Sequence, residues 1–217
     1  MSVFCSRKIN VPVLGKLLSD YSEGDTVLIH ENGTPVEFYV AKHDYESGLN
    51  GGGRTLLVRK NCYDSCNWHT SDVNAYETSG IDSWLNGDYK SLLDNKVQTE
   101  IAKTTFYYTI GNGNSTVTTL SRSVFLLSIT ELGESYSHFN VEGSALPIAG
   151  KLKIAKFNGS AVTQWTRSPR TSAKTQVGVI TINGNDAMVY CTDGNYSRPC
   201  FTLPSYTKFD YDTNVIK

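Results

Sequence analysis

Asn-Gly pairs set between short apolar runs constrain this chain more than any other feature. Asn-Gly is the favoured pair for a two-residue hairpin turn, because both positions take a positive φ at small cost. Thr26-Val-Leu-Ile29, Glu31-Asn-Gly33 and Val36-Glu-Phe-Tyr-Val40 therefore read as a β-hairpin. Val177 to Ile182, the turn Asn183-Gly184 and Asp186 to Cys191 read as another. Phe106 to Ile110 reads as a strand ending in the turn Gly111-Asn-Gly-Asn114, with a further apolar strand from Ser123 to Leu127. Thr55-Leu-Leu-Val58 is a buried strand. Gly48 to Gly53 is a flexible glycine-rich loop, and no Gly-Lys-Ser/Thr comes after it to make a phosphate site.

Helical spacing is confined to one stretch. Ser79 is placed to cap a short helix in which Ile81, Trp84 and Leu85 share a face, with Asn86-Gly87 ending it. A second helix runs from Tyr89 to Ile101, with Leu92, Leu93, Val97 and Ile101 inward. Gly133 to Ile154 is irregular, and Val162 to Leu203 is short strands and turns. Residues 1–23 form a lead-in in which Val11, Val13, Leu14, Leu17 and Leu18 make a short helix or an extended arm. No repeat or linker divides residues 24–217, which read as one α+β domain with a β-rich C-terminal half.

Several function classes are disfavoured. The net charge is -1 with no basic stripe, so nucleic acid is not an expected partner. No apolar run reaches the roughly 20 residues that span a membrane. The N-terminus lacks a signal-peptide core, since Arg7, Lys8 and Asn10 interrupt its apolar residues. The expectation is synthesis in a bacterial cytoplasm, with assembly into a particle such as a phage tail as a route out. Five cysteines, Cys5, Cys62, Cys66, Cys191 and Cys200, do not make a complete disulfide framework. Cys62, Cys66 and His69 hint at zinc but lack the second close pair that a structural site needs. His30, His43, His69 and His138 are scattered, and no nucleophile elbow or zinc-protease helix is present. The reading is of a binding protein rather than an enzyme, with no catalytic residue, metal or cofactor.

The most informative stretch is Gln164-Trp-Thr-Arg-Ser-Pro169 together with Ser197-Arg-Pro-Cys-Phe-Thr-Leu-Pro204. Trp165 offers a large face to bury. The planar forks of Arg167 and Arg198 can tie separate loops through carbonyls or carboxylates. Pro169 and Pro199 stiffen the chain at the edge of each motif. Between these motifs lies a segment rich in Gly, Asn, Thr and Tyr.

Those two motifs, the Asn183-Gly184 turn, Gly33 to Asn50 and Ile81-Asp-Ser-Trp-Leu-Asn86 resemble an uncharacterised family of gut bacteria and their phages. The resemblance spans about residues 24–204. The C-terminal signature is also similar to variable proteins of diversity-generating retroelements. It implies a C-type-lectin-like fold related to the formylglycine-generating enzyme. It also implies a fixed scaffold, here Trp165, Arg167, Arg198 and Pro199, carrying exchangeable ligand contacts. Those contacts are expected within 170–196, at Arg170, Thr175, Gln176, Gly178, Val179, Thr181, Ala187, Met188, Tyr190, Thr192, Asp193, Asn195 and Tyr196. Ile180, Ile182 and Cys191 are expected to pack inward or beside the hairpin. Adenine-directed rewriting of an Asn codon ending in a pyrimidine gives Thr, Val, Gly, Ala, Tyr or Asp, but not Gln or Met. Gln176 and Met188 therefore need template codons ending in a purine, or they are not diversified. The implied function is display of a variable surface to a protein or cell-surface ligand, with other virion proteins as further partners. The alternatives are a structural virion domain and an enzyme with a dispersed site on the same fold. The sequence departs from two relatives: Cys191 and Cys200 are nine apart, too far for the oxidase's copper pair, and the Glu-Pro-Asn or Gln-Pro-Asp motif of calcium-dependent lectins is absent.

Overall fold

A computed structural model describes residues 15–210 together with 213, 215 and 216. Val11, Val13, Leu14 and Cys5 lie outside the described residues. In chain order the first half carries β1 (Gly15–Leu17), β2 (Thr26–Glu31), β3 (Thr34–His43), α1 (Ser47–Asn50), β4 (Arg54–Arg59), β5 (Ser65–Asn67), α2 (Gly80–Trp84), α3 (Lys90–Leu92), α4 (Asn95–Glu100), β6 (Thr104–Gly111), β7 (Asn114–Arg122) and β8 (Val124–Phe125). The second half carries α5 (Ala149–Leu152), β9 (Ala155–Phe157), β10 (Ser160–Val162), β11 (Gln164–Pro169), β12 (Gln176–Ile180), β13 (Asp186–Tyr190), β14 (Gly194–Tyr196), β15 (Cys200–Pro204) and β16 (Lys208–Asp210).

The architecture is α+β, mostly strands with few short helices, built on two five-stranded sheets. One runs β2-β3-β4-β15-β8 and the other β13-β12-β11-β14-β5. The two sequence motifs thus occupy inner strands of different sheets. β15 sits between β4 and β8, and β11 between β12 and β14. Every residue of β11 and of β15 is buried, as expected of strands covered on both faces. The described part of the lead-in, residues 15–23, is woven into the body rather than preceding it. β1 pairs with β16, and Leu18 is fully buried.

The Asn-Gly turns behave as their chemistry requires, in two ways. Asn32-Gly33 and Asn112-Gly113 both have positive φ at each position and join β2 to β3 and β6 to β7. The second of these hairpins returns through β7, a Ser/Thr-rich strand the apolar pattern does not reveal. The strand expected from Ser123 to Leu127 shrinks to the two residues of β8. Asn183-Gly184 closes a longer loop: Thr181 donates its N–H to the Asn185 carbonyl at 2.8 Å, and Gly184 donates to the Thr181 carbonyl at 2.9 Å with φ +81°. Ile182 sits in that loop and is 52% exposed, so of the two expected placements, inward or beside the hairpin, the inward one is corrected.

The helical region also departs from expectation. Ser79 caps α2 by accepting the Asp82 N–H at 3.1 Å. Asn86-Gly87 does not end the helix; a π turn over Leu85–Tyr89 carries it into α3. The Asn86 side chain donates to the Asp82 and Val124 carbonyls and accepts the Ser123 and Val124 N–H groups, so it clips the helix to β8. The second helix is only α4, because Leu93 turns extended after α3. The loop expected over Gly48–Gly53 begins as the single turn of α1. Among the described residues no helix is long and apolar enough to cross a membrane.

Candidate ligand-binding face

The frame around 170–196 is built from long side chains that replace backbone pairing. Trp165 is buried in β11 and its Nε1 donates to the Cys66 carbonyl at 2.8 Å. Trp68 returns the bond, its Nε1 donating to the Thr166 carbonyl at 3.0 Å, so two indoles lock β11 to β5 and the residue that follows it. Arg198 is buried, and its guanidinium donates to the carbonyls of Arg59, Leu152 and Lys60 at 2.8, 2.6 and 2.6 Å. It thereby ties the end of β4 to α5. Pro199, also buried, accepts the Arg59 N–H at 3.0 Å.

Arg167 does the same deeper in the molecule. Fully buried, it donates to the carbonyls of Tyr107 and Leu126 at 3.0 and 2.8 Å, pairs with Glu131 at 2.6 Å, and lies 4.6 Å over the Phe106 ring. Burial pulls this guanidinium down, but Glu131, Tyr45 and Glu142 outweigh burial and raise it overall. Glu142 is buried too, accepting the Thr109 N–H at 2.6 Å and the Ser168 hydroxyl at 2.5 Å. Burial raises its carboxyl above the usual range, with Arg167 the strongest opposing influence. Neither acid is among the expected site residues, because both fall in or beside the stretch read as irregular. The sequence does hold one signal: Ser128-Ile-Thr-Glu131 has the spacing of a capping box. Glu131 indeed accepts the Ser128 N–H at 2.8 Å while Ser128 accepts the Glu131 N–H at 3.1 Å.

The expected contact residues fall into separate groups. Arg170, Thr175, Gln176, Tyr190, Thr192 and Asp193 gather at one end of the β12–β13 hairpin, where Gln176 pairs in register with Tyr190. Tyr190 is 51% exposed, Thr192 and Asp193 are exposed, and the other three are half-buried. The Arg170 guanidinium donates to the Gln176 side chain and to Ser172 Oγ. Asp193 accepts the Tyr190 N–H at 2.9 Å, and Thr192 donates to Asp72 at 3.1 Å. Thr181 lies at the opposite end, beside the hairpin tip. Ala187 and Met188 are half-buried against the core on the edge strand β13. Asn195 and Tyr196 lie on β14, across β11 from the hairpin, in register with Cys66 and Ser65.

Two expected contacts are corrected. Val179 is fully buried, in register with Trp165. Gly178 is buried, and a Cβ there would stand 2.8 Å from Ile129 and 2.9 Å from the Phe139 ring. Both faces of β12 are covered, so alternation does not deliver an outward position. Ile180 and Cys191 are fully buried, as expected.

A cleft of about 410 Å³ opens elsewhere, between the start of β3, the Arg59–Tyr63 stretch and the β9–β10 turn. Phe157 on its wall contacts Tyr196 at 4.9 Å between ring centres, so the end of the candidate segment abuts it. The four described thiols, Cys62, Cys66, Cys191 and Cys200, are not paired in disulfides. Burial raises Cys62 and Cys66 to about 11 and Cys191 to about 12, and holds Cys200 well above its ordinary value. His69 does not join Cys62 and Cys66 at a metal. Its Nδ1 accepts the Gly80 N–H at 3.0 Å, and no cluster of metal-ligating side chains occurs among the described residues.

A family model described as "Domain of unknown function (DUF6273)" matches residues 52–205, most of the chain. The chain belongs to the DUF6273 family. No curated protein and no solved structure matches it. The DUF6273 span contains both motif strands, all the candidate contacts, Glu131 and Glu142, while β1, β2, β3 and β16 lie outside it. This member thus completes its first sheet with two strands that precede the matched span.

Proposed function

We propose that this DUF6273 protein is a ligand-binding display domain with a C-type-lectin-like fold, which presents exchangeable side chains on a rigid frame. The observation that carries the reading is the contrast at the base of the β12–β13 hairpin. Tyr190, Thr192 and Asp193 stand exposed, while Trp165, Arg167 and Arg198 a short way along the chain are buried and tied to many carbonyls. A long aromatic ring beside small polar groups is the composition of an adaptable recognition surface. The ligand is a protein or other component of a cell surface, met from a phage tail or a comparable surface assembly. The sequence resemblance to retroelement variable proteins supports this reading.

The test combines Tyr190→Ala, Thr192→Ala and Asp193→Ala in one variant. Binding to a panel of intact gut-bacterial cells is measured beside thermal melting. The expected result is lost binding with stability within about 1 kcal/mol of the parent, as for surface substitutions. Binding that persists in this variant while a variant in residues 24–160 abolishes it would overturn the assignment. A reverse-transcriptase gene beside a near-copy of this gene's 3′ end would mark the surface as diversified.

A further inference from the structure

We infer that two copies of this chain pair edge to edge through β7, antiparallel about a two-fold axis at Thr118. The β6–β7 hairpin is sealed on one side only. On β6, Asn50 bonds both the N–H and the carbonyl of Thr105, at 2.7 and 2.8 Å. Arg167 bonds the Tyr107 carbonyl and Glu142 the Thr109 N–H. These β6 residues therefore turn their backbone groups away from β7. Their register partners Ser121, Thr119 and Val117 must turn theirs away from β6, since opposite residues of an antiparallel pair either exchange both bonds or neither. Among the described residues, nothing bonds the backbone of Val117 or Thr119 on that outer side, and both residues are exposed. At the ends the edge is closed: Asn140 takes the Ser115 carbonyl and Arg122 takes that of Ser121.

An open strand edge is a template for another strand, and monomers blunt theirs with charge, proline or bulges. β7 carries no charge and no proline between Asn114 and Ser121; its one register shift lies between Asn114 and Val117, beside the turn and outside the Val117–Thr119 stretch. The occupant that fits is β7 itself. With Thr118 on the axis, Val117 of each copy faces Thr119 of the other, and each such pair exchanges both backbone bonds, closing the open stretch and no more. β-branched residues meet β-branched residues across the seam, a favourable cross-strand combination. Arg122 falls opposite the turn end of β7, whose own residues are uncharged and against which Lys174 packs at Gly113. A groove beside the edge is lined by Tyr107, Val117 and Val141 together with Glu46, Gly143 and Ser144, and the two-fold operation would set its copy on the same side of the seam. An isologous contact of this kind makes a closed dimer rather than a filament.

The experiment is sedimentation over a concentration series, with backbone hydrogen exchange on the same samples. The parent should pass from monomer to dimer, and the Val117 and Thr119 amides should gain protection as it does. Thr118→Lys, which sets two ammonium groups against each other on the axis, should shift the dimer to at least tenfold higher concentration with unchanged melting. Should that variant fail to fold, Thr119→Pro, which removes one edge donor, serves in its place. A parent that stays monomeric overturns the inference, as does a dimer unaffected by these substitutions or one formed without protection at Val117 and Thr119. In the last two cases another surface, or another protein's strand, is what meets its partner.

Discussion

Replacing Arg167 by Met keeps the volume of the side chain near the original and removes its charge and every donor. The guanidinium pairs with Glu131 at 2.6 Å and donates to the carbonyls of Leu126 and Tyr107. Breaking a buried ion pair by removing one partner costs about 3–5 kcal/mol. A buried carbonyl left without a donor adds about 1–3 kcal/mol. These figures are not additive, and roughly 5 kcal/mol is the expected loss at pH 7.5, a large share of the ~5–15 kcal/mol that holds a domain folded. The loss should depend on pH with a definite sign. Burial already raises the Glu142 carboxyl, and Arg167 is the strongest influence opposing it, so the variant raises it further. A carboxyl whose folded value lies above its unfolded one contributes stability that is fully present below the unfolded value and is lost as pH rises through the folded value. The deficit of Arg167→Met should therefore be smaller at pH 5 than at pH 7.5. Urea unfolding at both pH values measures it. Arg167→Lys, which keeps a charge but cannot reach all three acceptors, should fall between parent and Met. A loss under about 1 kcal/mol, or an equal loss at both pH values, would refute the view that this arginine neutralises a buried acidic pair.

Trp165→Ala should cost roughly 3–5 kcal/mol by opening a cavity between β11 and β5; unchanged melting with lost binding would move Trp165 to the recognition surface. Gly178→Thr should cost about 1–3 kcal/mol through overpacking against Ile129 and Phe139, read by chemical denaturation; a neutral result would reinstate it as an exchangeable contact. Gly111→Ala should cost more than a typical core substitution, because the new Cβ would lie 2.3 Å from the Asn74 carbonyl oxygen at φ +78°; melting that stays at the parent's temperature would show that the hairpin moves aside. Burial raises Asp82 to about 6, against the opposing bond from Arg122. Its share of stability is thus present below the ordinary carboxylate value and is lost as pH rises through about 6. Asp82→Asn should change the slope of stability between about pH 4 and 6 by up to about 1.4 kcal/mol per pH unit, and coincident slopes would refute the shift.

The sequence by itself determined the local features. Asn32-Gly33 and Asn112-Gly113 force tight reversals because few other pairs take positive φ twice. Ser79 declares a helix start because its hydroxyl satisfies an N–H that the helix leaves free. The weight of Trp165, Arg167 and Arg198 was legible from residue type, since an indole and two guanidinium forks between short strands have to be buried against something able to accept their donors. Tertiary structure decided the rest. β7 is missed because it buries one residue, Leu120, and so has no apolar pattern to read. Asn86 is mistaken for a terminator because its partners Ser123 and Val124 are distant in the chain. Gly178 and Val179 look like alternating positions of a half-exposed hairpin, yet the chain around Ile129 and Phe139 covers one face of β12 and Trp165 the other. Strand period reports which residues share a face, but only the packing of remote segments decides whether that face meets solvent.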